Sequence, residues 1–344
     1  MDSSDLSKNT IEDIEDQELY EHYSSVVDKG QSLLRIDKYL SSRIENISRS
    51  RIQNAAEAGC ICVNGKPVKS NYRVKGGDVV SVVLPYPKRE IELIPENIDL
   101  DIVYEDDDIM IINKPAGLVV HPGYGNYSGT MVNGLIYHLN KGNRAEAMPY
   151  LIHRIDKNTS GLLVVAKNEM SQIFLAKQFY EHTIERNYIA LVWGDLTNDA
   201  GMIDNYIGRD IRNRKMMSVL DNGTGKRAIT HYNVIERFTY VTLINCRLET
   251  GRTHQIRVHM KHIGHPIFND DTYGGNFVLK GTTFAKYKQF VDNCFKICPR
   301  QALHAMSLGF IHPVTNKKMY FEVDFPDDMK QLIEKWRNYA IQYI

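Results

Sequence analysis

Two short apolar runs constrain this chain more than any other feature of it. Ile109-Met110-Ile111-Ile112 and Leu162-Leu163-Val164-Val165-Ala166 are punctuated by Pro115 and Gly161. Runs of this length, rich in β-branched residues and closed by turn formers, read as strands buried on both faces. Neither can cross a bilayer, which takes roughly 20 consecutive apolar residues, and nothing in the 344 residues comes near that. Around these runs, strand-like and helix-like segments alternate from about residue 98 onward. Tyr232–Thr250 has Val234, Phe238, Val241, Leu243 and Leu248 among its apolar positions, whereas Ser171–Thr183 and Asp328–Tyr343 show amphipathic helical spacing. No internal period is visible. The expectation for 98–344 is one mixed α+β domain.

Charge divides the remainder. The chain carries 42 basic and 42 acidic residues, a balance that by itself argues against a phosphate-binding surface. Its distribution reverses that inference. Residues 2–21 hold eight acidic side chains against one lysine, whereas 31–85 hold nine basic against four acidic, a net of +5. Residues 1–25 therefore read as an acidic, solvated leader without fixed structure, and 86–97 as a linker. Within 31–85, Leu34, Ile36, Leu40 and Ile44 share a helical face, leaving Arg35, Lys38 and Arg43 for solvent. A second helix opens at Ser48-Arg49-Ser50-Arg51, with Ser48 or Ser50 as cap, and stops at Gly59. Ile61-Cys62-Val63 then meets Asn64-Gly65, a hairpin signal, and Val79–Leu84 is a strand.

Helix, basic helix, hairpin and strand in that order resemble the S4 RNA-binding domain. The resemblance implies that Arg49 and Arg51 face RNA. Amides at a helix N-terminus would add to their attraction for phosphate.

A second resemblance covers about 100–325. It rests on His153-Arg154-Ile155-Asp156-Lys157-Asn158-Thr159-Ser160-Gly161-Leu162 and five further blocks in fixed order. These are Asn113-Lys114-Pro115-Ala116-Gly117-Leu118 with His121-Pro122, then Arg186-Asn187-Tyr188-Ile189-Ala190-Leu191-Val192-Trp193-Gly194, then Thr250-Gly251-Arg252-Thr253-His254-Gln255-Ile256-Arg257-Val258-His259. Gly264-His265-Pro266-Ile267 and Leu303-His304-Ala305 with His312-Pro313 close the series. Together they resemble the RNA pseudouridine synthases that include the ribosomal large-subunit enzymes. The implied fold is a largely antiparallel mixed sheet with flanking helices and loops, joined to a small N-terminal S4 domain. Asp156 becomes the catalytic carboxylate, Arg257 its ion-pair partner on a strand after Gly251, with Arg252 the second choice, and Tyr188 the aromatic against the target base. Arg154 would help extrude the nucleotide, and Lys114-Pro115 would shape a turn beneath the site, with Lys114 touching phosphate at most. The implied substrate is large-subunit ribosomal RNA or a pre-ribosome, with transfer RNA or another RNA as the alternative.

The chemistry is consistent with these residue types. Turning uridine into pseudouridine breaks the glycosidic bond, rotates the uracil and rejoins it through carbon. Nothing is oxidised, so no cofactor and no metal is expected; the need is for one ionised carboxylate near the ribose or base. The plainer readings are a turn role for Asp156, strand packing for Tyr188, a structural ion pair for Arg257, and loop or packing roles for His153, His304 and His312. Asp271 and Tyr273 belong to a loop that in the family begins with glycine; here Asn269 stands there, a residue that tolerates positive φ. His254, His259, His262 and His265, with Cys294 and Cys298, raise a metal reading, but on a strand His254 and His259 would face opposite ways. Hydrolysis by an Asp–His pair would need an oxyanion-hole loop or nucleophile elbow that this sequence does not show, and a non-catalytic RNA-binding or ribosome-assembly factor would not need Asp156, Tyr188 and Arg257 together. Five cysteines without a framework suit a reducing cytoplasm, and a monomer is the expected state.

Overall fold

The computed structural model describes residues 20–44, 49–57, 59–84, 93–123, 126–141, 147–210, 216–220 and 225–341, with the side chains of 20–22, 50, 51 and 84 outside the description. The chain divides into two compact units, Met1–Glu92 and Leu93–Ile344.

The first unit runs β1 (Tyr20–Val26), β2 (Leu34–Arg35), α1 (Ile36–Ser41), α2 (Arg49–Glu57), β3 (Ile61–Val63), β4 (Lys66–Pro67), β5 (Arg73–Val74) and β6 (Val79–Leu84). β1, β6, β3 and β4 form an antiparallel sheet in that order, and β2 pairs with β5. The β3–β4 turn places both Asn64 and Gly65 at positive φ, 51° and 76°, the geometry that matches the twist of a two-residue hairpin. Ile36, Leu40, Ile52, Ile61, Val74 and Val80 fill the core. Two expectations change. Tyr20–Val26 is a strand on the edge of this sheet, not part of an unstructured leader; residues 1–19 lie outside the described residues, as do 86–92 of the expected linker. The first helix begins at Ile36, because Leu34 and Arg35 are taken up in pairing with Val74 and Arg73. The capping serine expected at 48 also lies outside the description.

The second unit runs β7 (Ile102–Glu105), β8 (Ile109–Lys114), α3 (Met131–Asn140), β9 (Tyr150–Leu151), β10 (Ser160–Ala166), α4 (Glu169–Tyr180), β11 (Glu185–Trp193), β12 (Ala200–Arg209) and β13 (Met217–Val219). It continues with β14 (Lys226–Arg237), β15 (Val241–Leu248), α5 (Gln255–His262), α6 (Ala285–Ile297), β16 (Leu303–Ile311), β17 (Lys318–Glu322) and α7 (Asp327–Ile341). The strands make one sheet in the order β13-β12-β14-β15-β11-β16-β10-β8-β7, with β17 beside β16 and β9 beside β10. Every pairing is antiparallel except β10 with β16.

The two apolar runs that open the argument are β8 and β10, hydrogen-bonded to each other from Gly161↔Lys114 to Ala166↔Ile109. Their continuous hydrophobicity has a direct cause. Met110, Ile112, Leu163 and Val165 point into one core, and Ile109, Ile111, Leu162 and Val164 into another on the opposite face. The larger core is anchored by the Trp193 ring, 5.0 Å from Phe268 and edge-on to Trp336 at 6.3 Å. Removing either tryptophan side chain would cost about 3–5 kcal/mol. Among the described residues no helix is long and apolar enough to cross a membrane.

Candidate active site

Asp156 lies in the loop between β9 and β10, and three separate devices hold that loop. Its own carbonyl accepts the Thr159 N–H at 3.1 Å, closing a turn. Gly161 then adopts φ 112°, and a Cβ there would lie 2.2 Å from the Ala305 carbonyl oxygen. Only glycine lets β10 approach β16 this closely, in the one parallel pairing among the described strands. Beneath the loop, buried Arg300 donates to the carbonyls of Asn158 and Leu303, to Ser160 Oγ, and bidentately to Asp328. Ser160 Oγ also bonds His304 Nδ1 at 2.9 Å.

Lys114 is the third device, turned inward to the loop beneath the site rather than outward to phosphate. Its side chain is fully buried, and Nζ donates to the carbonyls of Pro115, Leu118 and Lys157 at 2.7–3.0 Å. It ties the turn after β8 to the residue following Asp156. Burial pulls its pKa down to about 7, and Arg300 adds repulsion, but three carbonyl acceptors use all three protons of an ammonium.

The Asp156 side chain is about a quarter exposed. Oδ2 accepts from Arg257 Nη1 at 3.0 Å, and Oδ1 lies 3.8 Å from His254 Nε2, beyond hydrogen-bond range. Among the described residues Oδ1 accepts no hydrogen bond. Burial would raise the pKa of this carboxyl, but His254, Arg257 and Arg154 together hold it below the ordinary aspartate range. Burial keeps His254 below its own usual value, so near neutral pH it is uncharged and the lasting counter-charge is Arg257.

Arg257 is not on a strand. Gln255–His262 is the helix α5, whose N-cap, His254, takes the left-handed conformation at φ 56°. The misreading has a physical source: Ile256, Val258 and Met260 alternate as strand residues would. What turns the segment into a helix is the Gln255 side chain. It accepts from Thr250 Oγ1 and the Arg252 N–H and donates to the Ile229 carbonyl and Thr230 Oγ1, stitching the Gly251 turn to β14.

The remaining edge of the Arg257 guanidinium is fixed by a residue that the sequence reading passed over. Asp270, fully buried, accepts from Nε at 2.7 Å and Nη2 at 2.9 Å, and takes the N–H groups of Thr272 and Tyr273 as well. The reading singled out its exposed neighbour Asp271 instead. Asn269 occupies the glycine position of that loop at φ 58°. The Tyr273 ring lies under the guanidinium, 4.9 Å away. Its hydroxyl accepts the Met217 N–H at 3.1 Å and is 2.8 Å from His254 Nδ1. The arrangement giving every donor an acceptor has the Tyr273 hydroxyl donating to Nδ1. That leaves the His254 proton on Nε2, facing Asp156.

Tyr188, on β11, is buried; burial raises its pKa, and the nearby Asp156 charge raises it further. Arg154 is exposed beside the carboxylate, and Arg252 is half-buried with Nε on the Arg227 carbonyl. His153 accepts the Val164 N–H and packs on Phe179 at 4.6 Å; burial pushes it down to about 3, so it braces the loop as a neutral ring. In the first unit, Arg49 does not stand clear for RNA. It joins Arg35 and Gln53 on the buried carboxylate of Asp37 at 2.9–3.1 Å, although its side chain remains 46% exposed. The Arg51 side chain lies outside the description.

The histidines weighed as metal ligands diverge. His254 turns to Tyr273, His259 to Thr230 and His265 to the Trp193 carbonyl, and His262 is exposed. Among the described residues Asp106, Asp108 and His312 come close enough to hold a cation. There, however, His312 Nδ1 accepts the N–H groups of Val314 and Thr315, so Nε2 carries the proton and gives it to Asp106. No nitrogen lone pair faces the carboxylates.

Comparison with known proteins identifies the class that this fold and site define. The family model described as RNA pseudouridylate synthase matches residues 108–262, and the S4 domain model matches 34–80. An RNA pseudouridine synthase of Chlorobaculum parvum is 44% identical over 317 residues, covering 90% of this chain and 96% of the relative. A protein of Zymomonas mobilis named ribosomal large subunit pseudouridine synthase D is 42% identical over 305 residues, covering 87% and 93%. The structure of human RNA pseudouridylate synthase domain containing 4 shares the fold, with TM-score 0.53 at 23% identity over 69% of this chain and 92% of that one. The chain belongs to the RNA pseudouridine synthases. It is an isomerase of RNA, built on the pseudouridine synthase fold with an N-terminal S4 domain that binds RNA.

Proposed function

We propose that this enzyme isomerises uridines of large-subunit ribosomal RNA and that Asp156 is its catalytic carboxylate. The observation that carries the assignment is the asymmetry of that carboxylate: one oxygen is clamped by Arg257, while the other accepts no hydrogen bond among the described residues. The uracil N1–C1′ bond breaks, the base turns, C5–C1′ forms, and the proton leaving C5 is balanced by one gained at N1. Attack on the sugar, addition to the base and abstraction of a ribose proton all need the same group, an ionised carboxylate held within reach. Arg257, fixed by Asp270, keeps it ionised without neutralising both oxygens.

Tyr188 supplies a buried, uncharged aromatic face for the base. A glycosidic bond inside a stack is out of reach, and flipping the nucleotide costs a few kcal/mol. Arg154, exposed and two residues before Asp156, is placed to fill the gap left in the stack. The ribosomal target rests on the relatives named synthase D, which match over nearly their whole length.

The test is direct. Large-subunit ribosomal RNA transcripts are incubated with wild type and with Asp156→Asn, and pseudouridine is mapped by carbodiimide adducts that stop reverse transcription. Stops present only with wild type support the reading, and identical patterns sink it. Modification of a transfer RNA transcript in preference to the ribosomal one would keep the chemistry and replace the substrate.

A further inference from the structure

Resting on that reading, we propose that Arg186, with the backbone at Gly251, forms a subsite for a backbone phosphodiester of the substrate RNA beside the target uridine. The buried arginines are electrostatically unequal. Three arginines are buried among the described residues: Arg186, Arg257 and Arg300. Arg257 holds two carboxylates and Arg300 holds Asp328. Arg186 is only 6% exposed and has no carboxylate partner among the described residues. Its Nη2 donates to the Glu249 carbonyl at 3.2 Å, the Phe179 ring lies 5.2 Å from the guanidinium, and Nε is buried with no acceptor. The neighbouring His153 is held neutral by burial and returns no negative charge. Buried charges are normally paired, because removing an ion from water is costly without a counter-ion. A carbonyl and an aromatic face offset only part of that cost.

The position of the imbalance is informative. Arg186 precedes Tyr188 by two residues on β11, so the two side chains leave the strand on the same side. Over the guanidinium lies Gly251, where a Cβ would come within 2.6 Å of Nη1. Gly251 is itself exposed, so the cation lies one glycine beneath the surface. Arg252 comes next; burial lowers the Arg186 pKa most, Tyr188 works the other way, and the Arg252 charge adds a smaller downward push. Two guanidinium groups that repel each other, one of them without a carboxylate among the described residues and two positions from the tyrosine for the base, form a site for an anion. An RNA chain bringing a uridine to Tyr188 carries a phosphodiester on each side of it, and guanidinium is well matched to phosphate oxygens.

Three variants test this. Binding of a large-subunit ribosomal RNA transcript is measured across about 50–200 mM KCl, where each lost phosphate contact lowers the slope of log Kd against log salt by about 0.7–0.9. Arg186→Met should show that decrease and bind roughly tenfold or more weakly at the low-salt end. The free variant should melt at or above the wild-type temperature, because a buried unpaired charge has become a packed apolar chain. Arg186→Lys should recover most of the slope. Gly251→Ala keeps the charge but drives a methyl into Nη1, and should also lower the slope; it answers the question should Arg186→Met fail to fold. An unchanged slope in Arg186→Met and Gly251→Ala overturns the proposal, as does a lower melting temperature in a folded Arg186→Met whose slope is unchanged. Inorganic phosphate serves as competitor: displacement of RNA from wild type but not from Arg186→Met assigns the site to phosphate itself. Salt slopes as expected, with no pseudouridine made by wild type, would leave the subsite standing while the enzyme reading fails.

Discussion

Each unit of this protein contains an aspartate held by arginine, and the two are built to opposite ends. In the first unit Asp37 is fully buried and saturated, taking Arg35, Arg49, Gln53 and the Lys38 N–H on its two oxygens. In the second, Asp156 receives one hydrogen bond from one arginine, and its other oxygen accepts none among the described residues. Both carboxyls are held below the ordinary aspartate range, so acidity alone does not separate them. What separates them is unused bonding capacity. The saturation around Arg257 has been moved one step back, onto Asp270, which leaves Asp156 charged and incompletely bonded.

The largest expected effect breaks the comparison at its functional end. Asp156→Asn should lower kcat by at least about 10⁴-fold in a single-turnover pseudouridine assay, with no fall in melting temperature. Asp37→Asn should do the reverse: the first unit loses about 1–3 kcal/mol, since the arginines left behind are partly exposed; this is read by hydrogen exchange of its amides, while kcat at saturating RNA stays near wild type. Asp270→Asn sharpens the comparison by loosening the clamp, and should both destabilise the second unit and reduce kcat. Arg257→Gln should move the acid limb of kcat/KM to higher pH. The sign follows from Asp156 being the active anion: its cationic partner depresses its pKa, so activity survives into acid below the ordinary aspartate range and is lost earlier once that partner is gone. Smallest is Tyr273→Phe, which keeps the ring under Arg257 but frees the His254 tautomer; kcat should fall roughly tenfold or less, with KM unchanged.

Much of the scaffold was legible because its signals are local. β8 and β10 announce themselves by apolar length, and the β3–β4 hairpin by Asn64-Gly65. The misreadings arise where two structures share one pattern or where only burial distinguishes neighbours. Ile256, Val258 and Met260 alternate like a strand until the Gln255 side chain, bonding to β14, settles the helix. Tyr20–Val26 is mostly polar and becomes a strand only because β6 offers it an edge. Asp270 and Asp271 are chemically identical, and nothing local says which one turns inward to Arg257. Arg186 shows no local signal beyond its place at the head of a block, since the absence of a counter-ion is a property of three-dimensional neighbourhoods.

The parallel seam between β10 and β16 has a consequence for the life of the chain. The loop bearing Asp156 is braced by Arg300, His304 and the Ala305 backbone, some 140 residues further along. During synthesis, therefore, Asp156 emerges long before the residues that set its position. A growing chain can bind RNA through its S4 domain while its catalytic centre is still unassembled, and chemistry must wait until the strand at 303–311 has left the ribosome and closed the seam. Assembly of the site is thereby tied to synthesis of that strand.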